Sequence, residues 1–555
     1  MKERMKTPQS VTKAVSETRR SATGGWLGRF WSDQSGTMSY VAVAGAMVMM
    51  VFGGIGVDMI HAELKRTKIQ NTLDRAVLAA AAVENEMDAE TTVQEYFNAM
   101  NLADALGSVD ADVSARNKRV SADAAVTMPS QFMQLIGVDT LQATGDAVAE
   151  QGITEVEISL ILDTSGSMGG TKIEQLKTAS KNFVDTVLAG DGVTSPVSVS
   201  LVPYHATVSL GDDLPNYFNL QNLHDFSHCA VFDDSEFSTT AITPTQELEQ
   251  LGQFDPISSS QTAGEAEYSW CNRGNDGAIM AVSSDADALK ARIDTFEAWG
   301  NTAIDVGVKW GAALLDPAAR PAISAMAYDG LVSQDNAARP ANFNDQATLK
   351  YLVVMTDGQN TWQYDLKPEK KEAAGSGIWL ADMGTGSVWD DKYSVQLTDP
   401  NTGAPVYYWT RYWYNASQRY QPTVDMIDHP SNPARELTWN EIYDRFGTNG
   451  LVNLLYWQPR NDGYISSADY ADIQYPYEVI VTPPQADSRL SQVCTDAKNK
   501  GIVVYAVGVQ APEAGKVALQ DCASSPSHYY DIDGSELDDT FGAIARSFQT
   551  LRLIQ

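Results

Sequence analysis

The sequence predicts an α/β protein in three parts: an N-terminal transmembrane helix, a small α+β module, and a doubly wound domain carrying two large insertions. Three observations lead there. Residues 41–57 form an apolar run without a single charge. Short alternating stretches follow, of the kind that make half-buried strands. From Glu155 onward, short β-rich apolar runs alternate with amphipathic helices, the pattern of a parallel sheet covered on both faces.

The 555 residues exceed one compact core. Hydrophobic residues at 43% and charged residues at 20% are globular values. The formal net charge of -32 sets up a field that repels DNA and RNA, so nucleic acid is not an expected partner. The four cysteines, Cys229, Cys271, Cys494 and Cys522, form no CxxC pair. Proximity in sequence pairs Cys229 with Cys271 and Cys494 with Cys522, which suits an oxidising compartment; four buried thiols are the alternative.

Residues 38–60 read MSYVAVAGAMVMMVFGGIGVDMI and are long enough to cross the hydrocarbon layer as a helix. A buried core helix or a cleaved signal peptide are the alternatives. A signal peptide fits poorly, because the run starts about forty residues in and no Ala-x-Ala site follows. Upstream, residues 1–37 hold Lys2, Arg4, Lys6, Lys13, Arg19, Arg20 and Arg29 against Glu3, Glu17 and Asp33, which argues for a cytoplasmic N-terminus. ELKRTK downstream is basic too, so charge alone does not orient the span. The cysteines and the acidic bulk favour a C-terminal mass in the periplasm or at the surface, on a single-pass inner-membrane anchor. Residues 61–87 lack Gly and Pro and are expected to extend the helix outward, with Asp74 solvent-facing or locally paired.

FWSDQSGTMSYVAVAGAMV and GVDMIHAELKRTKIQNTLDRAVLAAA together resemble the N-terminal segment of TadG-like Flp (tight adherence) pilus assembly proteins. The likeness covers residues 27–85. Pilins of that wider system carry a Glu five residues after the processing Gly; here the fifth residue after Gly36 is Val41, so the span is expected to stay as an anchor. Residues 61–150 then hold the extended helix and a pilin-like module. In it TTVQEYFNAMNLADAL forms a helix on a small antiparallel sheet, and PSQFMQLIGV a short helix.

Residues 151–555 make the doubly wound domain. VEISLILD is a buried strand. The helix after it places Ile173, Leu176, Phe183, Val184, Val187 and Leu188 on one stripe. SPVSVSLVPYHATVSL reads as a strand, a break at Pro203 and an antiparallel edge strand. DADALKARIDTFEAWG, TAIDVGVKWGAALLDP and DSRLSQVCTDAKNKG read as helices, and LKYLVVMTDG and IVVYAVGV as buried strands. In the final helix Ser535 and Asp538 suggest a capping box, and DIDGSELDD has its glycine misplaced for a calcium loop.

In sheets of this kind function gathers at the strands' carboxyl ends. Asp163, Ser165 and Ser167 lie there in a D-x-S-x-S pattern. One carboxylate and two hydroxyls offer oxygens to a hard divalent cation and leave it short of negative charge. The segment is similar to the metal-ion-dependent adhesion site of von Willebrand factor A domains. That likeness, spanning residues 155–550, adds Thr302 and Asp357 from two further loops. It implies direct coordination by Ser165, Ser167 and Thr302, contact through water for Asp163 and Asp357, and a sixth position open to an acidic residue of a protein partner. Mg²⁺ is the expected ion, with Mn²⁺ or Ca²⁺ as alternatives. A metal-free helix-capping turn is the bland reading.

The insertions are expected at about residues 211–285 and 360–487. The first holds His224 and His228, whose spacing suggests zinc but whose surroundings suggest a surface loop. The second is aromatic: Tyr407, Tyr408, Trp409, Tyr412, Trp413 and Tyr414, with Trp362, Trp379, Trp389, Trp439 and Trp457. It reads as a subdomain core, or as a sugar- or protein-binding platform. Phosphate-loop, dinucleotide, zinc-protease and hydrolase motifs are missing, and no nucleophile has a base, so no enzyme is expected. The leading expectation is a membrane-anchored pilus assembly or adhesion protein that holds a partner, a pilus component, through a divalent metal. The rivals are a glycan- or surface-binding adhesin and a regulatory subunit of a cytoplasmic AAA-type ATPase.

Overall fold

The computed structural model describes residues 37–81, 88–113, 117–152, 155–188, 197–261, 264, 266–345, 347–371, 375–382, 384, 391–409 and 433–548. The basic segment before residue 37, and Trp389, Tyr412, Trp413 and Tyr414, lie outside them. The chain forms two compact units, residues 1–151 with 552–555, and residues 152–551.

In the first unit helix α1 (Thr37–Ala81) runs unbroken for 45 residues, about 68 Å at 1.5 Å per residue. It is long and apolar enough to cross a membrane. Its second half is a packing helix. Ile69, Leu73, Ala76, Val77 and Ala80 are buried against Val93 and Phe97 of α2 (Ala89–Ala99) and against Val120, Ala122 and Ala124. Asp74 is locally paired, accepting from Gln70 Nε2 at 2.9 Å. Strands β1 (Leu106–Val113), β2 (Asn117–Pro129) and β3 (Thr140–Gly152) form one sheet in that order, with β1 and β2 antiparallel. PSQFMQLIGV forms a single 3-10 turn, Met133–Ile136.

The second unit is doubly wound. Its sheet contains β4 (Glu155–Asp163), β5 (Val197–Tyr204), β6 (Met280–Ser283), β7 (Thr348–Thr356), β8 (Val503–Val509) and β9 (Tyr529–Ile532), in the order β9-β8-β7-β4-β5-β6. All neighbours are parallel except β5 and β6. Period-two alternation sends Ile158, Leu160 and Leu162 to one face, where α3 (Thr171–Leu188), α4 (Ala286–Asp294) and α8 (Leu537–Ser547) cover them. Ile161, Val202 and Tyr204 turn to the other face, under α5 (Ile304–Ala313), α6 (Pro483–Asn499) and α7 (Glu513–Cys522). There α5 comes close to the sheet. A Cβ on Gly311 would fall 2.3 Å from Ile161 Cδ1, and one on Gly307 2.8 Å from the Tyr204 ring.

Three local expectations change. Pro203 does not break β5, because pairing with β6 ends at Leu201 and Pro203 lies beyond it. The antiparallel edge is therefore Met280–Ser283, inside the stretch read as the first insertion, while Ser209 makes only isolated bridges, to Cys229 and Ala278. The last capping box uses Asp533 and Glu536, two residues upstream of Ser535 and Asp538.

Both disulfides pair as expected, Cys229 with Cys271 and Cys494 with Cys522. Part of the first insertion packs under the sheet, with Phe218 and Phe232 against Trp310, and the rest shares a core with the second insertion. Phe254, Trp270 and the first disulfide pack with Leu366, Ile378, Tyr393, Tyr408 and Tyr443. Phe254 stacks on Trp270 at 5.7 Å and on Tyr477 at 5.2 Å between ring centres. The described aromatics of the second insertion thus serve chiefly as a core, around an antiparallel sheet of Pro405–Trp409, Lys392–Thr398, Ile378–Ala381 and Arg435–Glu436. Trp362 and Trp457 remain about half exposed.

Candidate functional site

The sheet order reverses between β4 and β7: from β4 the chain moves to β5 on one side and later returns to β7 on the other. A crevice opens at such a point beyond the strands' carboxyl ends. Asp163 ends β4 there, Thr356 ends β7, and Asp357 follows it. The strands fix both carboxylates before any ligand arrives.

Backbone hydrogen bonds bring three loops together. Gly166 N donates to Gly300 O at 3.1 Å, and Trp299 N to Thr164 O at 3.0 Å. Thr361 N donates to Thr302 O at 2.9 Å. Asn360 Oδ1 accepts from Ile304 N at 2.8 Å, tying the loop after β7 to the start of α5.

Around the crevice the polar atoms form a chain. Asp163 accepts from Ser165 N at 2.7 Å and from the Thr356 hydroxyl. Ser165 Oγ and Ser167 Oγ are 3.1 Å apart, and Ser167 Oγ donates to Asp357 Oδ1 at 2.5 Å. The point a Cβ on Gly358 would take lies 3.3 Å from Thr302 Oγ1 and 3.7 Å from Ser167 Oγ. Asp163, Ser165, Ser167 and Asp357 are thus joined through one run of hydrogen bonds, and Thr302 comes near it across Gly358. Asp163, Ser165, Thr302 and Asp357 are buried, and Ser167 is exposed, so the crevice opens to solvent at Ser167.

Burial pushes the Asp163 carboxyl up to about 6, against the pull of its hydrogen bonds from Thr356 and Ser165, and the charge of Asp357 adds to the rise. A cation in the crevice would oppose that rise and hold the group ionised. Lys172, near the start of α3, is the group the sequence pattern missed. Its Nζ sits 2.5 Å from Asp357 Oδ2. The signal was present in the GGTK that follows the serines, where a long cation at a helix start can fold back over the loop.

The donor set of two carboxylates and three hydroxyls suits a hard cation that keeps some of its waters. Among the described residues no three His, Cys, Asp or Glu side chains come together to hold an ion. His224, expected in a surface loop, is buried, with Nε2 2.9 Å from Leu251 O. Burial lowers its pKa to about 4.

Residues 36–83 match the Tad family model, described as Flp pilus-assembly TadE/G-like. No curated protein matches the chain. Among solved structures, the chain is similar to the von Willebrand domain of the type V pili tip protein Mfa5 from Porphyromonas gingivalis, at 14% identity and TM-score 0.31, covering 72% of this chain and 98% of that one. It is similar to the pilus adhesin RrgA from Streptococcus pneumoniae, at 10% identity and TM-score 0.29, over 80% of this chain and 49% of that one. A third is proximal thread matrix protein 1 of the mussel byssus, with a zinc-occupied MIDAS motif, at 10% identity and TM-score 0.24, over 70% and 46%.

Proposed function

We propose that this chain is a noncatalytic, membrane-anchored protein of pilus assembly or adhesion. In this reading its doubly wound unit binds a partner's acidic side chain through a divalent cation. Asp163, Ser165, Ser167, Thr302 and Asp357 hold the ion, and the opening at Ser167 admits the partner. One observation carries the reading: Asp163, Ser165, Ser167 and Asp357 meet in one run of hydrogen bonds at the sheet's switch point, with Thr302 across Gly358 from Ser167. The match of residues 36–83 to the Tad model supports the pilus context. Helix α1 supports a membrane anchor; in this reading the membrane is the inner one and the second unit lies in the periplasm or at the surface.

The cation supplies a Lewis-acidic docking point for a carboxylate. The chain's own residues do the rest: β4 and β7 fix the two carboxylates, and Asp163 holds the turn by accepting the Ser165 N–H. The test is Mn²⁺ titration of the detergent-solubilised full chain, followed by capture of pilus components in Mg²⁺ or in chelator. Wild type is expected to bind one ion at this site and to lose its partner in chelator. Asp163→Asn and Ser165→Ala are expected to lose both while keeping the wild-type circular dichroism. Partner capture unaffected by chelator would refute the metal-dependent reading.

A further inference from the structure

The first unit carries an apolar turn fastened to α1 beside the end of its uncharged run. Asp58 is the first charged residue after the run from Val41 to Val57, and it is 4% exposed. Its carboxylate faces the small module, accepting from Phe132 N at 2.7 Å, Met133 N at 2.8 Å and Gln131 N at 3.3 Å. One helical turn deeper into the apolar run, a Cβ on Gly54 would fall 2.3 Å from Phe132 Cγ, so the ring lies directly on the helix backbone. Gly54 leaves the space that Phe132 fills.

The turn that begins there is Met133–Ile136, closed by Gly137 at φ +89°. Leu135 is 71% exposed and Ile136 54% exposed. No residue from Ala124 to Val138 is charged. At the same level the far side of α1, turned away from the module, is bare too, with Phe52, Met59 and Ile60 all more than half exposed. An apolar tip on a soluble module is ordinarily turned inward; this one points out, level with the end of a membrane-spanning run.

We infer that the Phe132–Ile136 turn is a second membrane contact, dipping Leu135 and Ile136 into the interface of the bilayer that α1 spans. The occupant is phospholipid, at the level where headgroups meet acyl chains. Asp58 and Gly54 form the clip: the carboxylate satisfies three N–H groups that would otherwise enter a dry environment unpaired. The clip ties the module to one rotational face of the helix and sets how far the helix sinks. This rests on the reading of α1 as a span, and the experiment separates the two.

The full chain, with its four native cysteines paired, would carry one added cysteine at Leu135, Glu95 or Met50, labelled with an environment-sensitive fluorophore. It would be reconstituted into phosphatidylcholine vesicles with nitroxide lipids. The Leu135 label is expected to emit blue-shifted light and to be quenched by a nitroxide near the headgroup. The Met50 label is expected to be quenched by a nitroxide near the acyl-chain end, and the Glu95 label, on the exposed face of α2, by neither. Quenching at Met50 with Leu135 behaving like Glu95 would overturn the second contact and leave the span standing. No quenching at Met50 would overturn both. Gly54→Leu, which evicts Phe132, is expected to move the Leu135 label toward the Glu95 result. Unchanged quenching at Leu135 in that variant would overturn the clip.

Discussion

Replacing Lys172 with methionine tests the candidate site from an unexpected direction. The lysine Nζ is 2.5 Å from Asp357 Oδ2, and the Asp357 side chain is wholly buried while the Lys172 side chain is 27% exposed. An ion drawing on Asp357 has to break or share that contact. A hydrogen bond between charged groups is worth about 1.5–3 kcal/mol. Removing the competitor should therefore tighten cation binding by about 10- to 100-fold. Like-charge repulsion between the ammonium and the cation acts in the same direction. Lys172→Met should also lower the unfolding midpoint in chelator, because Asp357 is left without its counter-charge. Saturating Mn²⁺ should restore it. Isothermal titration with Mn²⁺ and thermal unfolding with and without chelator measure the two effects. Unchanged or weaker Mn²⁺ affinity in the variant would refute the idea that Lys172 and the cation compete for one carboxylate.

Other outcomes follow from the packing. Gly311→Ala places a methyl group 2.3 Å from Ile161 Cδ1, and overpacking of this kind should cost about 1–3 kcal/mol in urea unfolding. Converting Cys229 and Cys271 to serine opens a loop of 42 residues and should cost up to about 4 kcal/mol, read from urea midpoints of the double variant. Asp305→Asn has a pH signature. Burial raises the Asp305 carboxyl to about 6, above its unfolded value, despite the Gln363 amide and Arg489. Wild type is thus favoured below pH about 4 and loses ground as pH rises through 6, so the variant should gain up to about 3 kcal/mol by neutral pH. A pH-independent difference between the two proteins would show that Asp305 does not titrate in this range.

Much of the fold was legible because burial on both faces leaves a plain trace. VEISLILD and LKYLVVMTDG are too apolar for anything but central strands, and the stripe from Ile173 to Val187 is the inner face of α3. Asp163, Ser165 and Ser167 could be picked out as candidates because a D-x-S-x-S turn at a strand end is a local pattern, whereas Thr302 and Asp357 came only with the resemblance to von Willebrand factor A domains. What escaped was decided at a distance. The edge strand is four residues long, and only its neighbour β5 makes it a strand. Pro203 signals a break in isolation, but here it lies past the last residue that β6 pairs. Lys172 matters only because Asp357, far along the chain, folds back onto it. His224 lies in a stretch with the look of a surface loop, yet Leu251 and Gln250 close over it.

The common interior of the two insertions constrains how this chain can vary. Phe254 and Trp270 belong to one excursion from the sheet, and Tyr443 and Tyr477 to the other, and each set covers the other's rings. They should be gained, lost or exchanged between related chains as a pair. A chimaera that imports one half alone would leave aromatic rings facing solvent next to the crevice, whereas importing both would change the rim in a single step.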